Sequence, residues 1–255
     1  PDLSAADKAF MDTVPYMEAV GALFYICRAS RWDISRACSQ VAKFMACPGP
    51  LHWAAVRRIY GYLCRTQHVG LVINPMAGHL DLNVVQVTAP SSPRGMLLEG
   101  WSDADWAGDP ATRKSHTGWL VRCGGSLLSW LSRSQGCISQ STMEAELVAA
   151  TSLSNEVLWW RCLWSDLQLP LPGPVPLWVD NTSAVLLAQH AGRFDATKHI
   201  ELKHLVIRDH QERGLVKVGW VAGAHQLADV LTKALYPRDF IAATTTVMGE
   251  SVAVV

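Results

Sequence analysis

Over the first 65 positions apolar residues recur at the spacing of a helix rather than a strand. In YMEAVGALFYICRA, residues 16–29, Val20, Leu23 and Cys27 share a face. Thr13 stands where an N-cap is expected and Pro15 suits a first turn, so a helix is predicted there. A second helix is predicted after Asp33, with Ile34, Ala37, Val41 and Phe44 as its apolar stripe and Arg36, Gln40 and Lys43 opposite. Pro48-Gly49-Pro50 breaks it. A third, from about Leu51 to Cys64, is predicted to bury Val56, Ile59, Tyr60 and Leu63 while turning Arg57 and Arg58 outward.

The pattern changes after residue 70. Gly70–Ile73 reads as a short strand, and Asn74-Pro75, Gly78 and Ser91-Ser92-Pro93 as a domain boundary. Three strands follow closely: Met96–Ser102, His116–Arg122 and Ser126–Leu131, the last two joined by a Gly124-Gly125 hairpin turn. Ser141-Thr142-Met143-Glu144 matches a capping box and opens a long helix through Trp164. Next come a strand at Val175–Val179, helices at about Thr182–Gln189 and Lys198–Glu212, a strand at Val216–Val221 and a last helix at about Gln226–Leu235. Clustered strands followed by alternating helices and strands predict an α/β fold with helices on the faces of a mixed sheet.

At 255 residues, 49% hydrophobic and with zero formal net charge, the chain can bury a core without staples and is expected to be globular. The zero hides an asymmetry. Residues 1–96 carry nine Lys/Arg against six Asp/Glu, and Arg28–Arg65 holds seven basic residues against Asp33 alone, a surface suited to a polyanion. The seven cysteines are odd in number and scattered, with no Cys-x-x-Cys pair, which excludes the spacing of a zinc module and fits reduced thiols. The amino terminus has no signal pattern, and no apolar run reaches the roughly 18 residues of a membrane span. A soluble intracellular protein with no membrane partner is expected. Its missing initiator Met suggests a fragment.

The candidate chemistry lies in acids. The run Met96–Trp101 ends at Asp103 and Asp105, which share a face if the strand continues and separate if the chain turns. Three further acids stand at the edges of predicted elements: Glu146 early in the long helix, Asp180 at a strand end and Asp229 in the last helix. In such folds strand ends and first helical turns converge on a crevice. Four carboxylates gathered there repel unless cations neutralise them, and oxygen-only ligation suits Mg²⁺ or Mn²⁺, not zinc. Two such ions about 4 Å apart can support phosphodiester cleavage.

The sequence resembles the Pol polyprotein of Ty1/copia-type retrotransposons, from the end of the reverse transcriptase through the ribonuclease H domain. The matching blocks are GWSDADWAGDPATRKSHTGW at 100–119, STMEAELVAA at 141–150, LWVDNTSAV at 177–185, TKHIELKH at 197–204 and QLADVLTKAL at 226–235. Upstream, PYMEAVGALFYICRASRWDIS at 15–35 and FMACPGPLHWAAVRRIYGYL at 44–63 are similar to the family's connecting helices. The resemblance implies a ribonuclease H-like mixed five-stranded sheet flanked by helices over 94–240, preceded by a small helical connection segment over 1–93 and followed by a tail at 241–255. It implies hydrolysis of the RNA strand of RNA–DNA hybrids at a site of two Mg²⁺ ions, with Mn²⁺ as substitute, held by Asp103, Glu146, Asp180 and Asp229. Glu144 and Asp105 become outer acids, and His225 a candidate for proton transfer or product release. Ser141, Thr142 and Asn181 are candidate polar contacts to the hybrid, Lys198 and Arg193 candidate phosphate contacts, and His199 is read as structural or substrate-facing. The implied partners are the hybrid and the upstream polymerase region. The implied location is the cytoplasm, within virus-like particles, or with access to the nucleus. No adjacent Asp-Asp pair is present, so no polymerase activity is expected. The alternative is a catalytically inactive, transposon-derived nucleic-acid-binding remnant.

Overall fold

The computed structural model describes residues 3–73, 98–169, 171–189 and 201–248. The chain divides into two compact units, Pro1–Leu71 with Pro237–Val255, and Val72–Tyr236. The boundary expected near residue 93 lies outside the described residues.

The first unit contains α1 (Ala5–Met11), α2 (Tyr16–Ala29), α3 (Ser35–Ala42) and α4 (Pro50–Arg65). Its core joins Val20, Leu23 and Cys27 to Ile34, Cys38, Val41, Val56 and Ile59, following the predicted seams. Thr13 does not cap α2: its hydroxyl donates to the Phe10 carbonyl at 2.7 Å, and α2 starts behind Pro15 without a side-chain cap. Phe44 leaves the predicted stripe because α3 ends at Ala42; it is exposed and stacks on His52 with ring centroids 3.7 Å apart. Arg31, counted with the basic surface, is buried. Its guanidinium holds Asp33 at 2.8 Å and donates to the Thr66 carbonyl, while the Tyr62 hydroxyl donates to Asp33 at 2.7 Å. The expected strand at Gly70–Ile73 has no strand pairing and is irregular. Residues 241–248, expected as part of the tail, lie in the last helix, which buries Thr244, Val247 and Met248. There the Thr244 and Thr246 hydroxyls donate to the carbonyls of Phe240 and Ala242, so both are paired within the helix.

In the second unit β1 (Leu98–Asp105), β2 (His116–Cys123) and β3 (Ser126–Ser134) form an antiparallel meander. Gly124 and Gly125 turn its second hairpin with φ of 54° and 84°, values that favour glycine. The order continues with α5 (Thr142–Asp166), β4 (Val175–Val179), α6 (Thr182–Gln189), α7 (Glu201–Glu212) and β5 (Val216–Trp220). The sheet runs β3-β2-β1-β4-β5, with β4 parallel to β1 and β5 parallel to β4. The result is the mixed five-stranded sheet flanked by helices that the resemblance implies. Leu153 and Val157 of α5 pack on Leu98, Trp119, Val121, Val175, Leu177 and Val216, and Leu147 and Ala150 join Val179, Ala184, Val185, Ile207 and Val218.

The helix expected at Gln226–Leu235 is a single turn, α8 (Asp229–Thr232), behind a 3-10 turn at Gly223–His225. Gln226 is extended, which separates the two turns, and Lys233 is extended with ψ 153°, which ends the helix. The terminal helix, Pro237–Met248, is α9.

Candidate active site

Strand register brings the first two acids together. Gly100 and Trp101 of β1 lie beside Leu177 and Trp178 of β4, so the same parallel offset places Asp180 level with Asp103. β1 continues to Asp105, and Asp103 lies opposite Gly118 of β2. That glycine makes room for α8. A Cβ at 118 would lie 2.6 Å from Thr232 Cγ2, 2.7 Å from Leu231 Cβ and 3.2 Å from the Ala228 carbonyl oxygen. Helical spacing then sets Asp229, Thr232 and Lys233, at i, i+3 and i+4, on one side of α8 toward Asp103. On α5, Ala145 and Ala149 pack on Ala104, small residues that let the helix start close over the end of β1 and carry Glu146 in with it.

The turn carrying Asp229 is tied down by polar side chains. Gln226 donates to the Ser102 carbonyl at 2.9 Å and accepts from the Ala228 N–H. Ser132 of β3 donates to the Leu231 carbonyl at 2.6 Å and is 2.8 Å from His116 Nε2. A carbonyl only accepts, so the Ser132 proton is committed to it and His116 Nε2 carries the proton of the second bond.

One carboxylate oxygen from each of Asp103, Asp180 and Asp229 lies within 4.8 Å of the others. Asp103 is buried, accepts a bond from the Thr232 hydroxyl and meets Lys233 Nζ at 3.0 Å. The same ammonium is 2.8 Å from Asp229. Burial and then the charges of Asp103 and Asp180 push Glu146 up to about 9, against a hydrogen bond from the Ala104 backbone. Asp229 is pushed up to about 6 by burial and Asp103, with Lys233 opposing, and Asp180 is raised by burial and Asp103. Burial works against the Lys233 charge, but Asp103 and Asp229 outweigh it and hold its proton more tightly than usual. Glu146 Oε2 is buried without a hydrogen-bond partner among the described residues. An all-oxygen donor set with one orphaned carboxylate oxygen fits a hard divalent cation.

The remaining predicted residues fall into three groups. Ser141 and Asn181 serve as helix caps: Ser141 Oγ accepts from the Glu144 N–H and Asn181 Oδ1 from the Ala184 N–H, each at 3.1 Å. Thr142 is exposed in the first turn of α5, and His225 is exposed in the 3-10 turn before Asp229. Arg193, Lys198 and His199 lie outside the described residues. Of the two acids expected as outer ones, Glu144 accepts from the Gln140 N–H at 2.7 Å, so it works at the helix start. Asp105 folds over Gly108, where a Cβ would lie 1.9 Å from its Oδ2.

No protein-family model matches the chain. It is 35% identical over 233 residues, 91% of its length, to the retrovirus-related Pol polyprotein from transposon TNT 1-94 of Nicotiana tabacum, and 31% identical over 88% of its length to that from transposon RE2 of Arabidopsis thaliana. The chain is a homologue of the Pol polyproteins of plant copia-type retrotransposons. It spans only 16% and 14% of those two relatives. Among solved structures, the N-terminal ribonuclease H domain of a Mycobacterium tuberculosis protein aligns with a TM-score of 0.39 at 16% identity, covering 59% of this chain and 98% of that one.

The sequence pattern alone assigns no part to Lys233, Thr232, Ser132, Gln226 and Gly118. For Thr232 and Lys233 a signal was available: they stand three and four residues after Asp229, on its helical face. For Ser132 and Gly118 none was, because both act through contacts made across the sheet.

Proposed function

We propose that this chain hydrolyses the RNA strand of RNA–DNA hybrids, as part of reverse transcription carried out together with an upstream polymerase region. The observation that carries the reading is the convergence of Asp103, Asp180 and Asp229 within 4.8 Å beside buried Glu146, on a mixed five-stranded sheet in a homologue of Pol polyproteins. Asp103, Asp180, Asp229 and Glu146 would hold Mg²⁺ or Mn²⁺. The bound ions would supply activation of a water and stabilisation of the departing 3′ oxygen, leaving 5′-phosphate and 3′-hydroxyl ends.

The chain's own part is to fix the carboxylates. Asp103 is held from α8 by Thr232 and Lys233, and the turn bearing Asp229 is held from the sheet by Ser132 and Gln226. Hybrid selection would rest on groove shape and 2′-hydroxyl contacts, not base sequence. Exposed Thr142 is a candidate contact to the hybrid, and Arg193 and Lys198 are candidate phosphate contacts.

The test is a panel of labelled RNA–DNA hybrid, duplex RNA, duplex DNA and single-stranded RNA, incubated with the chain and Mg²⁺. Cleavage of the hybrid alone, with 5′-phosphate products, is the expected result. Hybrid binding without cleavage under both Mg²⁺ and Mn²⁺ would replace the nuclease with a binding remnant.

A further inference from the structure

The acids of the candidate site already hold a cation that belongs to the chain. Lys233 Nζ lies 3.0 Å from Asp103 Oδ1 and 2.8 Å from Asp229 Oδ1, and the second oxygen of Asp103 accepts from Thr232. Thus α8 occupies both oxygens of Asp103, the most enclosed of the three aspartates. A divalent ion ligated by these oxygens would sit about 2.1 Å from each. At that distance it would compete with the ammonium for the same lone pairs, and the two positive charges would repel.

The side chain is built to withdraw. It is 38% exposed, whereas that of Asp103 is 1% exposed, so the flexible stem can carry the ammonium out to water while the carboxylate stays fixed. Backbone conformation points the same way. Lys233 is the residue at which α8 unwinds into extended chain, so its side chain is not locked between helical turns. Three aspartates and one ammonium leave a formal charge of −2, enough neutralisation to hold the acids together and enough residual charge to draw in a metal.

We propose that Lys233 is a tethered counter-ion that divalent metal must displace, so that metal loading is an exchange of ammonium for metal and Lys233 sets the metal concentration the site requires. This rests on the divalent-metal reading above and adds to it a residue that governs metal affinity.

The experiment is a Mn²⁺ titration of the full chain followed by thermal denaturation, comparing native protein with Lys233→Met, which keeps the stem without the charge, and Lys233→Arg, which keeps a charge. Lys233→Met should melt lower without metal and reach half-saturation at about tenfold lower Mn²⁺, the factor corresponding to release of one charge-assisted hydrogen bond of about 1.4 kcal/mol. Lys233→Arg should need at least as much Mn²⁺ as native. An unchanged or higher midpoint in Lys233→Met overturns the exchange. If Lys233→Met does not fold, the Lys233 ammonium ¹⁵N resonance of the native chain decides: it should move to the position of a solvent-exposed lysine at saturating Mg²⁺, and an unmoved resonance overturns the proposal. Failure of the underlying reading looks different. No metal-dependent stabilisation in native or variant protein, or stabilisation that survives Asp180→Asn, removes the metal site itself and the exchange with it.

Discussion

Gly118 is the position where one methyl group should cost most at the site while touching none of its acids. It lies opposite Asp103 in the β1–β2 ladder, and a Cβ there would come within 2.6 Å of Thr232 Cγ2 and 2.7 Å of Leu231 Cβ. Carbon atoms pack at about 3.5–4.0 Å. Rotating Thr232 would relieve the first contact only, because Leu231 Cβ is fixed to the main chain. In Gly118→Ala, α8 must therefore lift by about 1 Å, the shortfall against normal packing. Overpacking of this kind costs about 1–3 kcal/mol of stability. The larger effect falls on function, since α8 carries Asp229, Thr232 and Lys233, and misplacing a reactive group by about 1 Å can cost about 100-fold in rate. Gly100→Ala is the control: the nearest atoms its Cβ would meet belong to the Leu153 side chain of α5, first Cδ1 at 2.9 Å, and not to α8. Urea denaturation gives the stabilities, and hybrid cleavage per folded molecule gives the rates. Gly118→Ala should lose both and Gly100→Ala stability alone. A Gly118→Ala protein within about 0.5 kcal/mol of native, a typical neutral surface change, and cleaving at the native rate would refute the placement of α8.

Other outcomes follow from the same contacts. With metal chelated, stability should fall as pH rises between about 4.5 and about 9, because folded Glu146 keeps its proton over that window and the unfolded chain does not; this one group contributes a slope of about 1.4 kcal/mol per pH unit, to which raised Asp229 adds below about pH 6. Glu146→Gln should flatten that decline and be the more stable protein at pH 8 without metal, and a native profile flat from pH 5 to 9 would count against it. Ser132→Ala should cost about 1–3 kcal/mol, the penalty for unpaired buried groups, and slow hybrid cleavage by loosening α8; both are read by the urea and cleavage assays. In the first unit, Asp33→Asn leaves the buried Arg31 charge without its partner and should cost about 3–5 kcal/mol in urea denaturation.

Local signals carried the elements whose limits are set locally. The Gly124-Gly125 turn, the Ser141 cap and the strand at Val175–Val179 appear where pattern and turn chemistry put them. Expectations failed where tertiary contacts decide. Phe44 fits a helical stripe by spacing, yet α3 stops before it. Residues 226–235 have helical composition, but the Gln226 side chain is tied to β1 and only one turn forms. Arg31 looks like one more surface cation until Asp33, Tyr62 and Thr66 close around it. The four candidate acids are singled out by the sequence because each stands near the end or the start of an element, and strand ends and helix starts meet at one edge of such a sheet. Lys233 was harder to see: a lysine after an aspartate on a short helix reads as an ordinary surface pair unless Asp103 is known to lie beneath it.

The central claim is that Asp103, Asp180, Asp229 and Glu146 form a divalent-metal site for hybrid hydrolysis. The most direct measurement compares cleavage of a labelled RNA–DNA hybrid by the native chain and by Asp180→Asn, each with Mg²⁺ and with chelator, while hybrid binding is followed in parallel. Cleavage by the native chain only with metal, lost in Asp180→Asn although the hybrid still binds, is the predicted result. Cleavage that persists in Asp180→Asn or in chelator would contradict it.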